Sequence, residues 1–135
     1  MNIDELVDNF GFLEDWEDRY AYLIDLGAAL PPMDDALKTE QSKVKGCMSQ
    51  VWMILGWDGQ GRLTFLADSD AQIVRGLIAV LRVIFEGRTA AEIAHIDVDE
   101  TFRRLGMDQH LSPNRRNGFF SMVERVKAFT SCPQT

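Results

Sequence analysis

The sequence predicts an α+β fold, with a small antiparallel β-sheet packed on one side by several α-helices. Three observations carry this reading. Apolar residues recur three to four positions apart in several separate stretches, the period of one helical face. The strand-like segments all lie before residue 68 and are joined by a turn. Strands that cluster in a hairpin, with no helices alternating between them, cannot build a parallel sheet.

The elements follow in order. Ile3 to Phe10 reads as a short helix opened by Asn2 or Asp4 and interrupted by Gly11. Trp16, Tyr20, Leu23, Ile24 and Leu30 mark one face of a second helix, which ends near residue 30 because Pro31 and Pro32 cannot continue it. Residues 33 to 43 are polar and without period, so they read as a loop. From Gln50 to Trp57 the run Val51-Trp52-Met53-Ile54-Leu55 has strand length, Asp58-Gly59-Gln60-Gly61 supplies a turn, and Arg62 to Ala67 alternates into a second strand. Asp68-Ser69-Asp70 offers capping side chains to a long core helix marked by Ile73, Leu77, Val80, Leu81, Ile84 and Phe85 and stopped by Gly87. Thr89-Ala90-Ala91-Glu92 matches a capping box, and Asp99 can cap a further helix ending at Gly106. Ser112-Pro113 opens the last helix, with Met122, Val123, Val126 and Phe129 facing inward. No internal repeat or linker interrupts residues 1–135, which read as a single domain.

Composition narrows the function. A chain of 135 residues with 46% hydrophobic residues can hold its own core without metal or disulfide staples. Fourteen Lys and Arg against 21 Asp and Glu, a net charge of -7, argue against nucleic acid, whose phosphates call for a cationic surplus. The longest strongly apolar stretch, Gly76 to Phe85, is broken by Arg82 and falls well short of the roughly 20 residues of a membrane helix. Met1-Asn2-Ile3-Asp4-Glu5 lacks the cationic flank and apolar run of an export signal, so a cytoplasmic location with reduced thiols is expected. Cys47, Cys132, His95 and His110 fall in no recognised ligand spacing, so neither a bound metal nor a cofactor is expected.

Cys47 sits in Lys43-Val44-Lys45-Gly46-Cys47-Met48-Ser49-Gln50, ahead of the first clear strand, where a loop tip is expected. Gly46 leaves the approach uncrowded, and Lys43 and Lys45 favour the thiolate, which is the nucleophilic form of cysteine. A buried, inert cysteine is the commoner fate, and the local residues leave both readings open. Cys132 lies in a C-terminal stretch where chains fray, and no role is assigned to it.

Gly46-Cys47-Met48-Ser49-Gln50-Val51-Trp52, followed by Asp68-Ser69-Asp70-Ala71 and Ile73-Val74-Arg75-Gly76-Leu77-Ile78-Ala79-Val80, resembles the SufE family of cysteine-desulfurase activators in both order and spacing. The similarity reaches upstream to Trp16 through Leu30-Pro31 and downstream to His110-Leu111-Ser112-Pro113-Asn114-Arg115 and Gly118. It covers about residues 5–128 and leaves 129–135 as a tail.

The resemblance implies a fold shared with IscU-type scaffolds and a role as sulfur acceptor and carrier. The partner would be a cysteine desulfurase of the SufS or CsdA type, which carries pyridoxal phosphate, and the receiver a downstream iron–sulfur scaffold. Cys47 would be the catalytic persulfide acceptor, resting in an apolar setting to which Met48, Val51 and Trp52 contribute. Gly46, Gln50, Asp70 and Arg115 would be partner-binding or supporting residues. Asp70 reads first as a helix cap, a role compatible with a contact, and Arg115 reads equally as a solvated charge on the first turn of the last helix. Whether the chain forms a homodimer is left open. The alternative is an IscU-type scaffold, which needs several cluster ligands. A thiol redox enzyme is a third class, but the chain has no Cys-x-x-Cys.

Overall fold

The computed structural model describes residues 1–46 and 49–131. The expectations placed on Cys47, Met48 and Cys132 therefore lie outside the described residues. Helix α1 spans Ile3–Gly11, with the Asn2 side chain accepting the Glu5 amide at 2.8 Å. Helix α2 spans Trp16–Ala28, capped by Asp15 on the Asp18 amide at 3.0 Å. A short 3-10 turn covers Asp35–Leu37. Strands β1 (Val51–Trp57) and β2 (Leu63–Ser69) pair antiparallel with Val51 opposite Ser69 and Trp57 opposite Leu63. The turn between them is closed by Asp58, whose Oδ1 accepts the amides of Gln60 at 2.8 Å and Arg62 at 2.9 Å.

Helix α3 spans Gln72–Phe85, α4 Ala90–Ala94, α5 Val98–Arg104, α6 Met107–His110 and α7 Pro113–Ser131. The described residues thus form seven α-helices and a two-stranded antiparallel sheet, an α+β architecture as the sequence predicts. None of these helices is long and apolar enough to cross a membrane.

The core centres on α3, which buries Gly76 to Leu81 together with Ile84 and Phe85. Helix α2 crosses it at Gly27 and Gly76, so closely that a Cβ on Gly76 would lie 2.4 Å from the Leu23 carbonyl oxygen. Alternate residues of the sheet, Val51, Met53, Leu63, Phe65 and Ala67, are buried, because successive side chains of a strand point to opposite faces. The other face is open: Ile54 is exposed and Trp52 only half-buried, with Lys38 Nζ 5.1 Å above its ring. Trp52 is therefore not a core residue, although its place in an apolar run suggests one.

Other differences from the sequence reading have physical causes. Ser42 and Lys43, at the end of the stretch read as loop, and Val44 after them pair with β1: Val44 N–H donates to the Val51 carbonyl at 2.8 Å and Met53 N–H to the Ser42 carbonyl at 2.7 Å. Main-chain pairing does not depend on side-chain polarity, so Ser42 and Lys43 give no apolar alternation to detect. Helix α3 begins after Ala71 with no side-chain cap, because Ser69 and Asp70 are engaged elsewhere. Asp97, not Asp99, caps α5 through the Glu100 amide at 3.0 Å. Helix α6 has no counterpart in the sequence reading, since a single turn after Gly106 (φ 73°) is too short to show a period. The capping box at Thr89 and Glu92 is present with both hydrogen bonds. Helix α7 continues to Ser131, past the expected start of the tail, and Phe129 stacks on Trp57 with ring centroids 5.6 Å apart.

Candidate functional site

The bond between Val44 and Val51 makes residues 45–50 the connection between the short paired segment and β1. Both stems of this connection are held. On the outgoing side, Gln50 is gripped at its main chain: Asp70 Oδ1 accepts its amide at 3.1 Å, and Ser69 Oγ donates to its carbonyl at 2.7 Å. The Asp70 amide reaches the same carbonyl at 3.3 Å, and Ser69 Oγ also accepts the Ala71 amide at 3.2 Å. These bonds explain why neither Ser69 nor Asp70 caps α3.

On the incoming side, Gly46 has φ +88°, a region costly for any residue with a Cβ. A Cβ there would also lie 2.7 Å from Ser121 Oγ on α7. Further back, the Arg125 guanidinium donates to the carbonyls of Lys43 and Gln41, each at 2.6 Å.

Ser49 leads into a cavity of about 350 Å³ between α3 and α7. Its walls are apolar, built from Ile73, Val74 and Leu77 of α3 with Phe119 and Met122 of α7. Its lip is polar, with Ser49, Ser112, Asn114 and Arg115. Ser112 Oγ accepts the Arg115 amide at 3.3 Å, which fixes the first turn of α7. Two helices thus present their first turns to one cavity, and α3 does so without a side-chain cap. Uncapped amides and helix dipoles favour a negative charge there by about 0.3–1 kcal/mol per helix end, and the exposed Arg115 guanidinium adds to that bias. Such a site suits a thiolate or another soft anion that needs an apolar wall beside it.

Beyond the cavity, Asp68 on β2 joins two cations. Lys38 Nζ lies 3.2 Å from its carboxylate, and Arg75 Nε lies at 3.1 Å in an orientation too poor for a hydrogen bond. Hydrogen bonds from Lys38 to Asp35, and then to Asp68, raise the Lys38 pKa above the ordinary lysine value.

Of the residues singled out from sequence, Gly46 and Gln50 thus lie on the stems of one connection, Asp70 between β2 and α3 holds the Gln50 stem, and Arg115 stands on the lip of the cavity that Ser49 lines. Cys47, the central expectation, lies outside the described residues. The histidines are elsewhere: His95 is exposed at the end of α4, and His110 stacks on Trp16 with centroids 4.3 Å apart. The described residues include no group of three or more His, Cys, Asp or Glu able to hold a metal. The sequence reading passed over Ser121 and Arg125. The signal for Arg125 was available, since it lies between the inward-facing Met122, Val123 and Val126.

Residues 4–130 match the SufE family model, described as an Fe–S metabolism associated domain. An uncharacterized SufE-like protein of Rhizobium meliloti (strain 1021) is 45% identical over 130 residues, covering 94% of this chain and 93% of the relative. An uncharacterized SufE-like protein of Rhizobium etli is 44% identical over 129 residues, covering 93% and 87%. The solution structure of a hypothetical protein from Thermus thermophilus superposes with a TM-score of 0.76 over 95% of this chain and 92% of that one. At 20% identity, this last likeness speaks for the fold alone. With the family model spanning nearly the whole length, the chain belongs to the SufE family and takes part in iron–sulfur metabolism.

Proposed function

We propose that the protein accepts sulfur from a pyridoxal-phosphate cysteine desulfurase, stimulates that enzyme by unloading it, and passes the sulfur to iron–sulfur cluster assembly. Cys47 is the acceptor. Its thiolate attacks the outer sulfur of the desulfurase persulfide, forming a new S–S bond to Cys47. The S–S bond on the desulfurase breaks, and its electron pair stays on the desulfurase cysteine as a thiolate. The proton on the outer sulfur travels with it, so the exchange needs no external oxidant or reductant. Its rate rises with the thiolate fraction of Cys47 and with access to the attacked sulfur.

The observation that carries the reading is the cavity beside the connection that bears Cys47. Ser49, two residues on, lines it; its walls are apolar, and two helix N-termini and Arg115 bias it toward an anion. That combination supports a persulfide held away from oxidants yet kept ionised. Gly46, Gln50 and Asp70 act on the stems, and Arg115 faces the incoming partner from the lip. The test is Cys47→Ser. The variant is expected to melt like the parent, to gain no sulfur by mass spectrometry after incubation with a desulfurase and cysteine, and to leave sulfide release unstimulated. Full stimulation by the folded variant would overturn the assignment.

A further inference from the structure

We propose that Arg125 is a positioning residue for sulfur transfer, fixing the stem of the Cys47 connection to the same helix that walls the cavity. The inference rests on the reading of Cys47 as acceptor. Pairing with β1 uses the carbonyl of Ser42 and the amide of Val44, so the main-chain groups of Lys43 point to the opposite side. There the Lys43 amide donates to the Thr39 carbonyl at 3.0 Å, which leaves the carbonyls of Lys43 and Gln41 in need of donors.

Arg125 supplies both. One terminal nitrogen donates to Lys43 and the other to Gln41, each at 2.6 Å, and the second also approaches the Met53 carbonyl at 3.4 Å. A guanidinium does this as a rigid planar fork, which sets the spacing and direction of the two carbonyls as well as their distance from α7. Among the described residues no carboxylate pairs with Arg125, although the chain carries 21 Asp and Glu. Its charge is directed wholly at main-chain oxygens, and hydrogen bonds from a charged donor are stronger than neutral ones.

What the fork connects makes this more than a structural staple. Helix α7 carries Phe119 and Met122 in the cavity wall, Arg115 on its lip and Ser121 against Gly46. Arg125 lies further along the same helix and holds the chain four residues before Cys47 at Lys43. One rigid rod therefore sets both the cavity and the point from which the reactive cysteine is presented. Truncating the fork leaves the pairing with β1 in place but frees the stem to shift relative to the cavity.

The experiment uses Arg125→Met, which keeps an unbranched apolar stem and loses the donors, and Arg125→Lys, which keeps charge but offers a point donor in place of the fork. Both are made in a Cys132→Ser background, so that iodoacetamide reports on Cys47 alone. Three quantities are read below the melting temperature: the alkylation rate as a function of pH, single-turnover sulfur uptake from a persulfide-loaded desulfurase, and the concentration giving half-maximal uptake. The expected result is a fall in maximal uptake of about tenfold in Arg125→Met, because a misplacement on the order of 1 Å at a reacting group can cost up to about 100-fold. The alkylation profile should change with it, Arg125→Lys should be intermediate, and the half-maximal concentration should stay near the parent value. A folded Arg125→Met with parental uptake and alkylation would overturn the proposal, even with a lowered melting temperature. If Arg125→Met does not fold, the same comparison in Arg125→Lys decides. Loss of the acceptor reading would appear separately, as sulfur uptake persisting in Cys47→Ser.

Discussion

Replacing Gly76 with alanine sets two effects of opposite sign against each other. Gly76 lies within α3, where Gly→Ala ordinarily stabilises a helix by about 1 kcal/mol. Here the new Cβ would meet the Leu23 carbonyl oxygen at 2.4 Å, the Leu23 carbonyl carbon at 2.7 Å and the Leu23 Cβ at 2.9 Å. None of these atoms is the free end of a flexible side chain, so the contact yields only if α2 and α3 move apart. Restoring an ordinary contact of 3.4 Å at the oxygen calls for a displacement of about 1 Å. That displacement would loosen Leu23 and Leu77, both essentially fully buried. Overpacking of this severity belongs at the upper end of the usual range, about 3 kcal/mol, which leaves a net loss of about 2 kcal/mol.

For 135 residues the unfolding entropy is about 280 cal/mol/K, so the melting temperature should fall by about 7 °C. Calorimetry or circular dichroism measures this directly, and urea unfolding should show a lower midpoint at unchanged slope. Gly11→Ala is the control, since nothing lies within 4 Å of its added Cβ. It should melt at or above the parent temperature. A Gly76→Ala protein as stable as the parent would mean that helix propensity dominates and that the helices do not cross as closely as described.

Two further outcomes are expected beside those for Cys47 and Arg125. Asp70→Ala removes the acceptor for the Gln50 amide and should cost about 1 kcal/mol in thermal unfolding, whereas Asp70→Asn, which keeps an oxygen in place, should recover most of it; equal losses in the two variants would show that the hydrogen bond is not the cause. Amides donated first by Arg62 and then by Gln60 hold the Asp58 carboxyl below its ordinary value of 3.8, so its stabilisation of the hairpin turn is complete above that pH and is lost as the pH falls below it, through the folded value. The Gln60 and Arg62 amide resonances should follow this titration and Asp58→Asn should abolish it; a carboxyl titrating at or above 3.8 would refute the turn geometry.

Much of the fold was legible because local rules and tertiary packing agree. The face of α3 from Leu77 to Phe85 is apolar at helical spacing and is buried, and the turn at Asp58 to Gly61 carries its own closing chemistry. Legibility failed where main-chain bonds act without a side-chain signature. Ser42 to Val44 pair with β1 although nothing in their side chains alternates, and Asp70 resembles a helix cap because cap and stem clamp ask for the same short carboxylate. The candidate site was partly legible for the same reason. Gly46 announces a special backbone, and φ +88° answers it, whereas the reach of Arg125 from α7 back to Gln41 and Lys43 is a long-range relation that no local window contains.

The sequence by itself determined the class of fold, the hairpin and the long helices, because periodicity, capping and turn residues are local properties of a chain. Only the tertiary structure decided that α3 and α7 enclose an apolar cavity at Ser49, that Ser69 and Asp70 hold Gln50, and that Arg125 ties Lys43 to α7. Each of those joins residues far apart in the chain, and such contacts are set by how the helices and the sheet pack, which no local pattern of side chains records.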